Sequence, residues 1–99
     1  MAKFDVYRMR QGGTLVIDCQ ADLLSDLSTR LVVPLLARSD APKPAARLNP
    51  IFTIADEQMI MATQFAATVP CSELGEPLTS LRQHDLTIGN ALDMLISGF

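Results

Sequence analysis

The spacing of apolar residues changes once along this chain, just after Gly75-Glu76-Pro77. Before that point the apolar residues lie in short runs with period two, as where Phe4 and Val6 flank Asp5, and such runs are typical of half-buried β-strands. Beyond that point they recur at helical spacing, at Leu81, Ile88, Ala91, Leu92, Leu95 and Ile96. The pattern predicts an α+β, mainly β fold in which five or more strands precede one helix that lies over the sheet.

Glycine, proline and polar clusters mark the boundaries of the predicted strands. The paired glycines at 12–13 tolerate the positive φ of a tight turn and predict a hairpin between residues 3–9 and 14–19. Pro34 removes a hydrogen-bond donor from the run 31–36, which predicts an edge strand, a bulge or a strand that switches sheets. We further expect a loop or short helical turn at 20–29, an exposed excursion at 38–50, strands at 51–54 and 58–63 joined by Ala55-Asp56-Glu57, and a β-prone run ending at 68–70.

The predicted helix spans about residues 84 to 96, the length of an ordinary globular helix. Asp85 complements the positive end of the helix dipole, and Gly98 is placed to end the helix. Gly89 weakens such a helix by about 1 kcal/mol relative to alanine, which predicts close packing against a neighbouring element. His84, at the helix start, is predicted to be a capping or surface residue.

Size and composition favour one domain with a core of its own. The chain has 99 residues, of which 48% are hydrophobic, and a net charge of -3, so we expect a single domain over residues 1–99. The longest uncharged apolar run, at 31–37, is much shorter than the roughly 20 residues of a spanning helix. Asp5 interrupts the apolar stretch that a secretory signal requires, so we expect a cytoplasmic protein without a membrane span. Cys19 and Cys71 lack metal-ligand spacing and are predicted to be two buried, reduced thiols.

Charge and motif content disfavour several classes of function. Residues 1–50 carry seven basic and five acidic side chains, a balance of +2, and residues 51–99 carry one basic and six acidic, a balance of -5. Because no basic face is concentrated, direct nucleic-acid binding is not expected; the acidic half suits a basic protein surface or a solvated face. The sequence has no phosphate loop, metal-ligand cluster or nucleophile elbow, its acidic pair Asp56-Glu57 lies in a predicted exposed turn, and His84 is its one histidine. We therefore expect no catalytic residue, metal or cofactor.

Several landmarks follow one another in order along the chain. They are Phe4-x-Val6-Tyr7, Asp18-x-Gln20-x-Asp22, Arg30-x-Val32-Val33-Pro34-Leu35, Val69-Pro70, Leu74-Gly75-Glu76 and the ending Asn90-Ala91-x-x-Met94-x-x-x-Gly98-Phe99. In order and spacing they resemble the CcdB toxins of bacterial toxin–antitoxin modules. The resemblance implies the small SH3-like barrel shared by CcdB and MazF-like toxins, with antiparallel sheets, one C-terminal helix and a homodimer.

The resemblance also implies a function. CcdB-family toxins poison DNA gyrase: the dimer binds the gyrase A subunit and traps the complex in which DNA is cleaved. Such a toxin is a topoisomerase poison rather than an enzyme, it serves plasmid maintenance, and a CcdA-like antitoxin neutralises it. Because the mechanism is the stabilisation of one state of the target, it requires a higher affinity for that state than for the others.

The resemblance assigns residues to two surfaces. The terminal Trp-Gly-Ile with which the family contacts gyrase matches Ser97, Gly98 and Phe99 here, so a serine stands in the place of the tryptophan and Phe99 is a candidate to supply the aromatic contact. The other gyrase-binding candidates are Asp93, Phe4, Leu23 and Leu24, with a core role as the alternative for Phe4. The expected antitoxin-binding residues are Arg8, Arg10, Gln11, Asp40, Lys43 and Arg47, where basic side chains would attract an acidic peptide.

Two further interpretations remain open beside the gyrase toxin. Because aromatic anchors commonly dominate an interface, Ser97 also fits a non-toxic or retargeted relative that acts as a partner-binding protein. A MazF-like endoribonuclease on the same barrel would need a basic RNA groove with a catalytic acid or base, which a single histidine and an acidic second half support poorly.

Overall fold

Antiparallel strands make up most of the structure, as the sequence predicts. The computed structural model describes residues 2–98, and within that range it contains seven strands and one α-helix. They are β1 (Asp5–Met9), β2 (Leu15–Asp18), β3 (Thr29–Ala37), β4 (Ile51–Ile54), β5 (Glu57–Met61), β6 (Ala67–Pro70), β7 (Leu74–Ser80) and α1 (Asp85–Ser97), with short 3-10 turns at Asp22–Leu24, Thr63–Phe65, Cys71–Glu73 and Arg82–His84. The strands form one curled sheet in the order β4-β5-β3-β2-β1-β7, with β6 beside β3. The predicted α+β class, a small barrel-like sheet with a C-terminal helix, is confirmed.

The longest strand, β3, pairs with three others. On one side it pairs with β2, and on the other side it pairs with β6 over residues 29–32 and with β5 over residues 35–37. Pro34 lies between the part of β3 that pairs with β6 and the part that pairs with β5, so its lack of an N–H costs no hydrogen bond between strands. Its carbonyl oxygen accepts the N–H of Ala62 at 2.9 Å. Of the three alternatives predicted at Pro34, the strand that switches sheets comes nearest, because β3 changes its partner there. The change occurs within a single sheet.

Two tight turns require left-handed backbone. Gly12 and Gly13 have φ angles of 79° and 70°, so the predicted hairpin between β1 and β2 is confirmed. Ala55 and Asp56 have φ angles of 51° and 65° and form a two-residue turn between β4 and β5, which is rare for residues other than glycine, asparagine or aspartate. Glu57 is therefore the first residue of β5 and does not belong to the connection.

The main core lies between the sheet and α1. The helix contributes Ile88 and Ala91, which are both fully buried against side chains from β1 to β5. Cys19 lies in this core, but Cys71 is only half-buried because it begins a surface turn, with its Sγ 3.6 Å from the Leu27 carbonyl oxygen. The prediction of two buried thiols is thus right for Cys19 and wrong for Cys71, and both thiols are free.

The strand β7 is absent from the sequence prediction. It pairs with β1 along an irregular register, and only its first residue, Leu74, is buried, so it shows no alternation of apolar and polar residues. Gly75 is needed there because a Cβ at this position would lie 2.7 Å from the Arg8 carbonyl oxygen of β1. Gly75 and Pro77 both have low strand propensity, so the sequence does not predict a strand here. The pairing of β7 with β1 nevertheless depends on the close approach of Gly75 to Arg8.

The helix begins and ends near the predicted residues, but the capping alternative for His84 and the close packing predicted at Gly89 are wrong. His84 stands at the N-cap and makes no capping hydrogen bond with its side chain; its ring packs 5.0 Å from the Phe52 ring instead. No atom lies within 4 Å of a Cβ built on Gly89, so the helix is not closely packed there. Gly98 ends the helix as predicted, with φ of 78° and its N–H bonded to the Met94 carbonyl oxygen at 3.0 Å. Within residues 2–98, no helix combines the length and the apolar character needed to cross a membrane.

The segment 38–50 is an exposed excursion, as predicted, and Asn49 anchors its end. The buried Asn49 side chain donates to the Met61 carbonyl oxygen at 3.0 Å and to the Gln64 Oε1 at 2.7 Å, and its Oδ1 accepts the N–H of Ala45 at 3.0 Å. The Asn49 amide nitrogen thus donates two hydrogen bonds and its oxygen accepts one. These bonds fix the place at which the excursion returns to the sheet.

A buried pair of opposite charges lies at the junction of β2 and β3. Asp18 and Arg30 are 0% and 1% exposed, and the Arg30 Nε is 3.7 Å from the Asp18 Oδ2. The Asp18 Oδ1 accepts the N–H of Gln20 at 2.9 Å. Burial raises the pKa of the Asp18 carboxyl, since desolvation penalises its charged form more than Arg30 and the hydrogen bond stabilise it.

Candidate functional site

One side of α1 faces solvent along the whole helix, and we call it the outer helix face (Leu86, Asn90, Asp93 and Ser97). All four residues are exposed, and they follow helical spacing opposite the buried Ile88 and Ala91. Leu86, the second residue of α1, is a large apolar residue that is 78% exposed. Leu86 was not among the predicted site residues, although a helical projection separates it from the apolar stripe.

A groove borders the first turns of this face. It has a volume of about 260 Å³ and is formed by Lys3, Phe4, Arg82, Asp85, Leu86 and Gly89. Phe4 is 4% exposed and belongs to the main core, yet its ring also forms part of the groove wall, with the Lys3 Nζ 4.8 Å from the ring centroid. The open space above Gly89 widens the groove. We call this feature the Phe4 groove.

The turn Asp22–Leu24 is held next to the Phe4 groove. The Asp22 Oδ1 accepts the backbone N–H of Lys3 at 2.7 Å, and its Oδ2 lies 3.6 Å from the Arg82 Nη2. The ion pair is exposed and stabilises the fold little, so the hydrogen bond is the main constraint. Two candidate residues on this turn, Leu23 and Leu24, are exposed to solvent. The structure therefore brings Phe4 and these leucines to the beginning of α1.

The other gyrase-binding candidates lie at the far end of the helix. Ser97 is the last residue of α1 and Gly98 caps it; Phe99 lies outside the residues that the structure describes. Leu86 and Ser97 are eleven residues apart, which corresponds to about 16 Å along a helix. The candidates thus form two groups at opposite ends of the outer helix face, with Asp93 between them.

The last turn of α1 exposes three consecutive apolar side chains beside the polar Ser97. Met94, Leu95 and Ile96 are 36%, 42% and 78% exposed. The sequence pattern assigns Leu95 and Ile96 to the core stripe, and the structure leaves both in contact with solvent. Leu95 does point to the same side of the helix as Ile88 and Ala91, so an apolar surface continues past the core to the helix end.

The residues predicted to bind an antitoxin lie in two regions. Arg8 on β1 lines a cavity of about 300 Å³ together with Asp40, and the Arg8 Nη1 donates to the Gly13 carbonyl oxygen at 3.2 Å. Arg10 lies at the end of β1, where its backbone N–H donates to the Glu73 carbonyl oxygen at 2.9 Å. The other three are exposed and do not line that cavity: Gln11, Lys43 and Arg47.

Nucleophilic and metal-binding groups are sparse in the described part of the chain. Burial raises the pKa of the Cys19 thiol to about 12, which keeps it protonated at neutral pH. The His84 ring lies between Phe52 and the Gln83 amide, whose Nε2 is 3.3 Å from the ring Nε2. Among residues 2–98, no three His, Cys, Asp or Glu side chains are grouped so that they could hold a metal ion.

Known proteins are similar to this chain in sequence and in fold. A solved structure described as an endoribonuclease in complex with its cognate antitoxin, from mycobacterial species, aligns with a TM-score of 0.76 and 16% identity over 97% of this chain and 94% of that one. At this identity the likeness concerns the fold. The family model described as CcdB protein matches residues 3–98. Because this match covers nearly the whole chain and agrees with the curled sheet and terminal helix, the chain belongs to the CcdB family.

Proposed function

We propose that this chain is the toxin of a type II toxin–antitoxin module, and that it binds the A subunit of DNA gyrase and traps gyrase with its DNA cleaved. The family match over residues 3–98 carries the proposal, since it supports a toxin of a toxin–antitoxin system. A toxin that binds the cleaved complex more tightly than the other states of gyrase shifts the cycle toward that complex.

The outer helix face is the proposed gyrase contact. It offers an exposed apolar residue, Leu86, at one end and Ser97 with Gly98 at the other. Loss of an aromatic anchor from an interface costs about 2 to 4 kcal/mol, equivalent to about 30- to 1000-fold in affinity. Ser97 therefore weakens the contact at the helix end, and we assign a larger share of the binding to Leu86 and the Phe4 groove.

The toxin acts by binding and performs no chemistry of its own. Two features support this part of the proposal: the Cys19 thiol stays protonated at neutral pH, and the His84 ring is packed against Phe52, with the Gln83 Nε2 3.3 Å from its own Nε2. A covalent catalyst instead places a nucleophilic side chain within hydrogen-bond distance of a base that activates it.

A CcdA-like antitoxin is the proposed regulatory partner. The named structural neighbour is an endoribonuclease in complex with its cognate antitoxin, which supports the same kind of partner for this chain. Arg8 on β1 and Arg10 directly after it, with Lys43 and Arg47 on the excursion, would attract an acidic antitoxin segment. Because none of these residues lies on the outer helix face, antitoxin binding does not depend on the residue at position 97.

A homodimer is the proposed assembly. The apolar last turn of α1, with Met94, Leu95 and Ile96 exposed together, would be covered by a second copy. Clustered apolar residues of this kind are more typical of the core of a subunit interface than of a free surface.

The test is a gyrase supercoiling and DNA-cleavage assay with purified protein. We expect linear DNA to accumulate with the natural chain, and the Ser97→Trp variant to produce it at a concentration at least about tenfold lower. Leu86→Asp should abolish the effect, because it places a carboxylate in the proposed contact. The Thr68→Trp variant is the matched control, since it adds the same ring on β6, away from α1.

Three other outcomes have distinct meanings. If Ser97→Trp alone traps cleaved DNA, the docking geometry is present and the natural chain is a retargeted partner-binding protein. If neither form traps it, the gyrase proposal is wrong. Cleavage of RNA by the natural protein in the absence of gyrase would replace binding with an endoribonuclease activity of the kind named for the structural neighbour.

A further inference from the structure

The two outermost strands of the sheet, β4 and β7, face each other without pairing. They stand at the ends of the strand order, and no backbone hydrogen bond joins them in the described range 2–98. Because the sheet curls, residues of both strands line one cavity of about 430 Å³. We call this opening the β4–β7 seam; the lining residues used below are Arg8, Thr53, Ile54, Leu78, Ser80 and His84.

The free edge of β4 directs unpaired backbone groups into the seam. The N–H of Met61 bonds to the Pro50 carbonyl oxygen, and β4 pairs with β5 in simple register from Ile51 to Ile54. Successive residues of an antiparallel strand direct their backbone groups to opposite sides. Since residue 50 faces β5, the N–H and carbonyl groups of Thr53 face away from β5 and toward the seam.

The free edge of β7 does the same. Leu81 donates its N–H to the Phe4 carbonyl oxygen at 2.8 Å, so Ser80, one residue earlier, directs its backbone groups away from β1. Pro77 carries no N–H, and this protects the edge farther along the strand. Thr53 and Ser80 are both exposed residues, and both lie on the outermost strands of the sheet.

The side chains of the seam favour one kind of partner. Its titratable residues are Arg8 and His84, and no carboxylate lines it. The buried Ile54 and the half-exposed Leu78 supply an apolar wall. Asp40 and Glu57 line the adjoining cavity instead, which shares Arg8, Ile54 and Leu78 with the seam.

We propose that the β4–β7 seam binds an extended peptide segment of a partner protein, which pairs with an open strand edge and directs an acidic side chain to Arg8 and an apolar side chain to Leu78. Strand addition at an open edge derives its affinity from main-chain hydrogen bonds and its specificity from alternate side chains. Because Arg8 also belongs to the proposed antitoxin contact, this proposal deepens that contact and rests on it. It does not depend on gyrase binding, because none of the residues that carry it lies on the outer helix face.

The experiment titrates the natural protein with fluorescein-labelled peptides of about six residues, the length of an ordinary strand. One alternates valine and threonine around a central aspartate, the second has lysine in the place of aspartate, and the third has proline at alternate positions. We expect fluorescence anisotropy to show binding of the aspartate peptide, at least tenfold weaker binding of the lysine peptide, and no binding of the proline peptide. In ¹⁵N-labelled protein the amide signals of Thr53 and Ser80 should shift most.

Variants then locate the contact. Arg8→Gln should remove the preference for aspartate over lysine, and Leu78→Glu should weaken the aspartate peptide at least tenfold. Thr68→Glu, which adds the same charge on β6, is the matched control and should leave binding unchanged. Circular dichroism establishes that each variant is folded, and the comparison of peptides on the natural protein needs no variant.

Several results would overturn the proposal. Equal affinities for the aspartate and lysine peptides would contradict the role of Arg8, and equal binding of the proline peptide would contradict strand pairing. Shifts centred on Leu86 and Gly89 would move the peptide to the Phe4 groove. Protection of the Thr53 and Ser80 amides from exchange in the protein alone, increasing with protein concentration, would show that a second copy covers this edge.

Discussion

Asp18 and Arg30 form the one place in the described chain where two side chains of opposite charge are both buried. The guanidinium cannot release its proton, whereas the carboxyl can take one up. We expect Arg30→Met to lower the free energy of unfolding by about 3 kcal/mol at pH 7, because it leaves a buried, unpaired carboxylate. In the Asp18→Asn background, which keeps the acceptor for Gln20, the same change should cost less than about 1 kcal/mol. Urea unfolding of the four proteins of this cycle measures the coupling, and equal costs in both backgrounds would contradict it.

The same carboxyl gives the natural protein an unusual pH dependence. Burial raises the folded-state pKa of Asp18 above the ordinary value of 3.8 for this carboxyl. Between 3.8 and the raised pKa, the folded protein keeps a proton that the unfolded chain has lost, so stability falls as pH rises through this window. The stability of the natural protein relative to Asp18→Asn should therefore decrease from pH 4 upward and then level off. Thermal melts of both proteins across this range test the sign, and a rising difference would contradict it.

At the scale of elements, two glycines that look alike in the sequence should respond in opposite directions to alanine. Gly89 lies inside α1 with open space around a Cβ, so Gly89→Ala should raise the free energy of unfolding by about 1 kcal/mol. In Gly75→Ala the new Cβ would lie 2.7 Å from the Arg8 carbonyl oxygen, a backbone atom that β1–β7 pairing holds in place. We expect that variant to lose about 2 kcal/mol. Paired chemical denaturation curves distinguish the two, and destabilisation by Gly89→Ala would show that the groove beside it is closed.

The contrast also shows which elements sequence reasoning can find. The hairpin at Gly12-Gly13 and the helix end at Gly98 were predictable because local backbone preference decides them. β7 was not predictable, because its one buried residue and its glycine acquire meaning only from contact with β1, which is distant in sequence. The Asp18–Arg30 pair escaped for the same reason, since neither residue signals burial without the strand pairing that joins them.

At the scale of the whole molecule, the proposed gyrase-binding and antitoxin-binding surfaces lie on different elements. Family resemblance assigned Ser97 and Gly98 to gyrase binding, and they lie at the end of a helix whose first turn carries the unpredicted Leu86. Arg8 lies on the strand system, beside the seam. Target binding on the helix and regulatory binding on the sheet would leave each free to change without the other.

The assembly decides whether these surfaces are accessible, and it can be tested at the helix end. We expect the natural protein to sediment as a dimer at micromolar concentration, and Leu95→Glu to sediment as a monomer, because a carboxylate in the buried centre of an interface has no partner. Leu86→Glu is the matched control on the outer helix face and should remain dimeric. A natural protein that is monomeric throughout would contradict the proposed homodimer. A dimer that survives Leu95→Glu but not Leu86→Glu would place the interface on the outer helix face and close that face to gyrase.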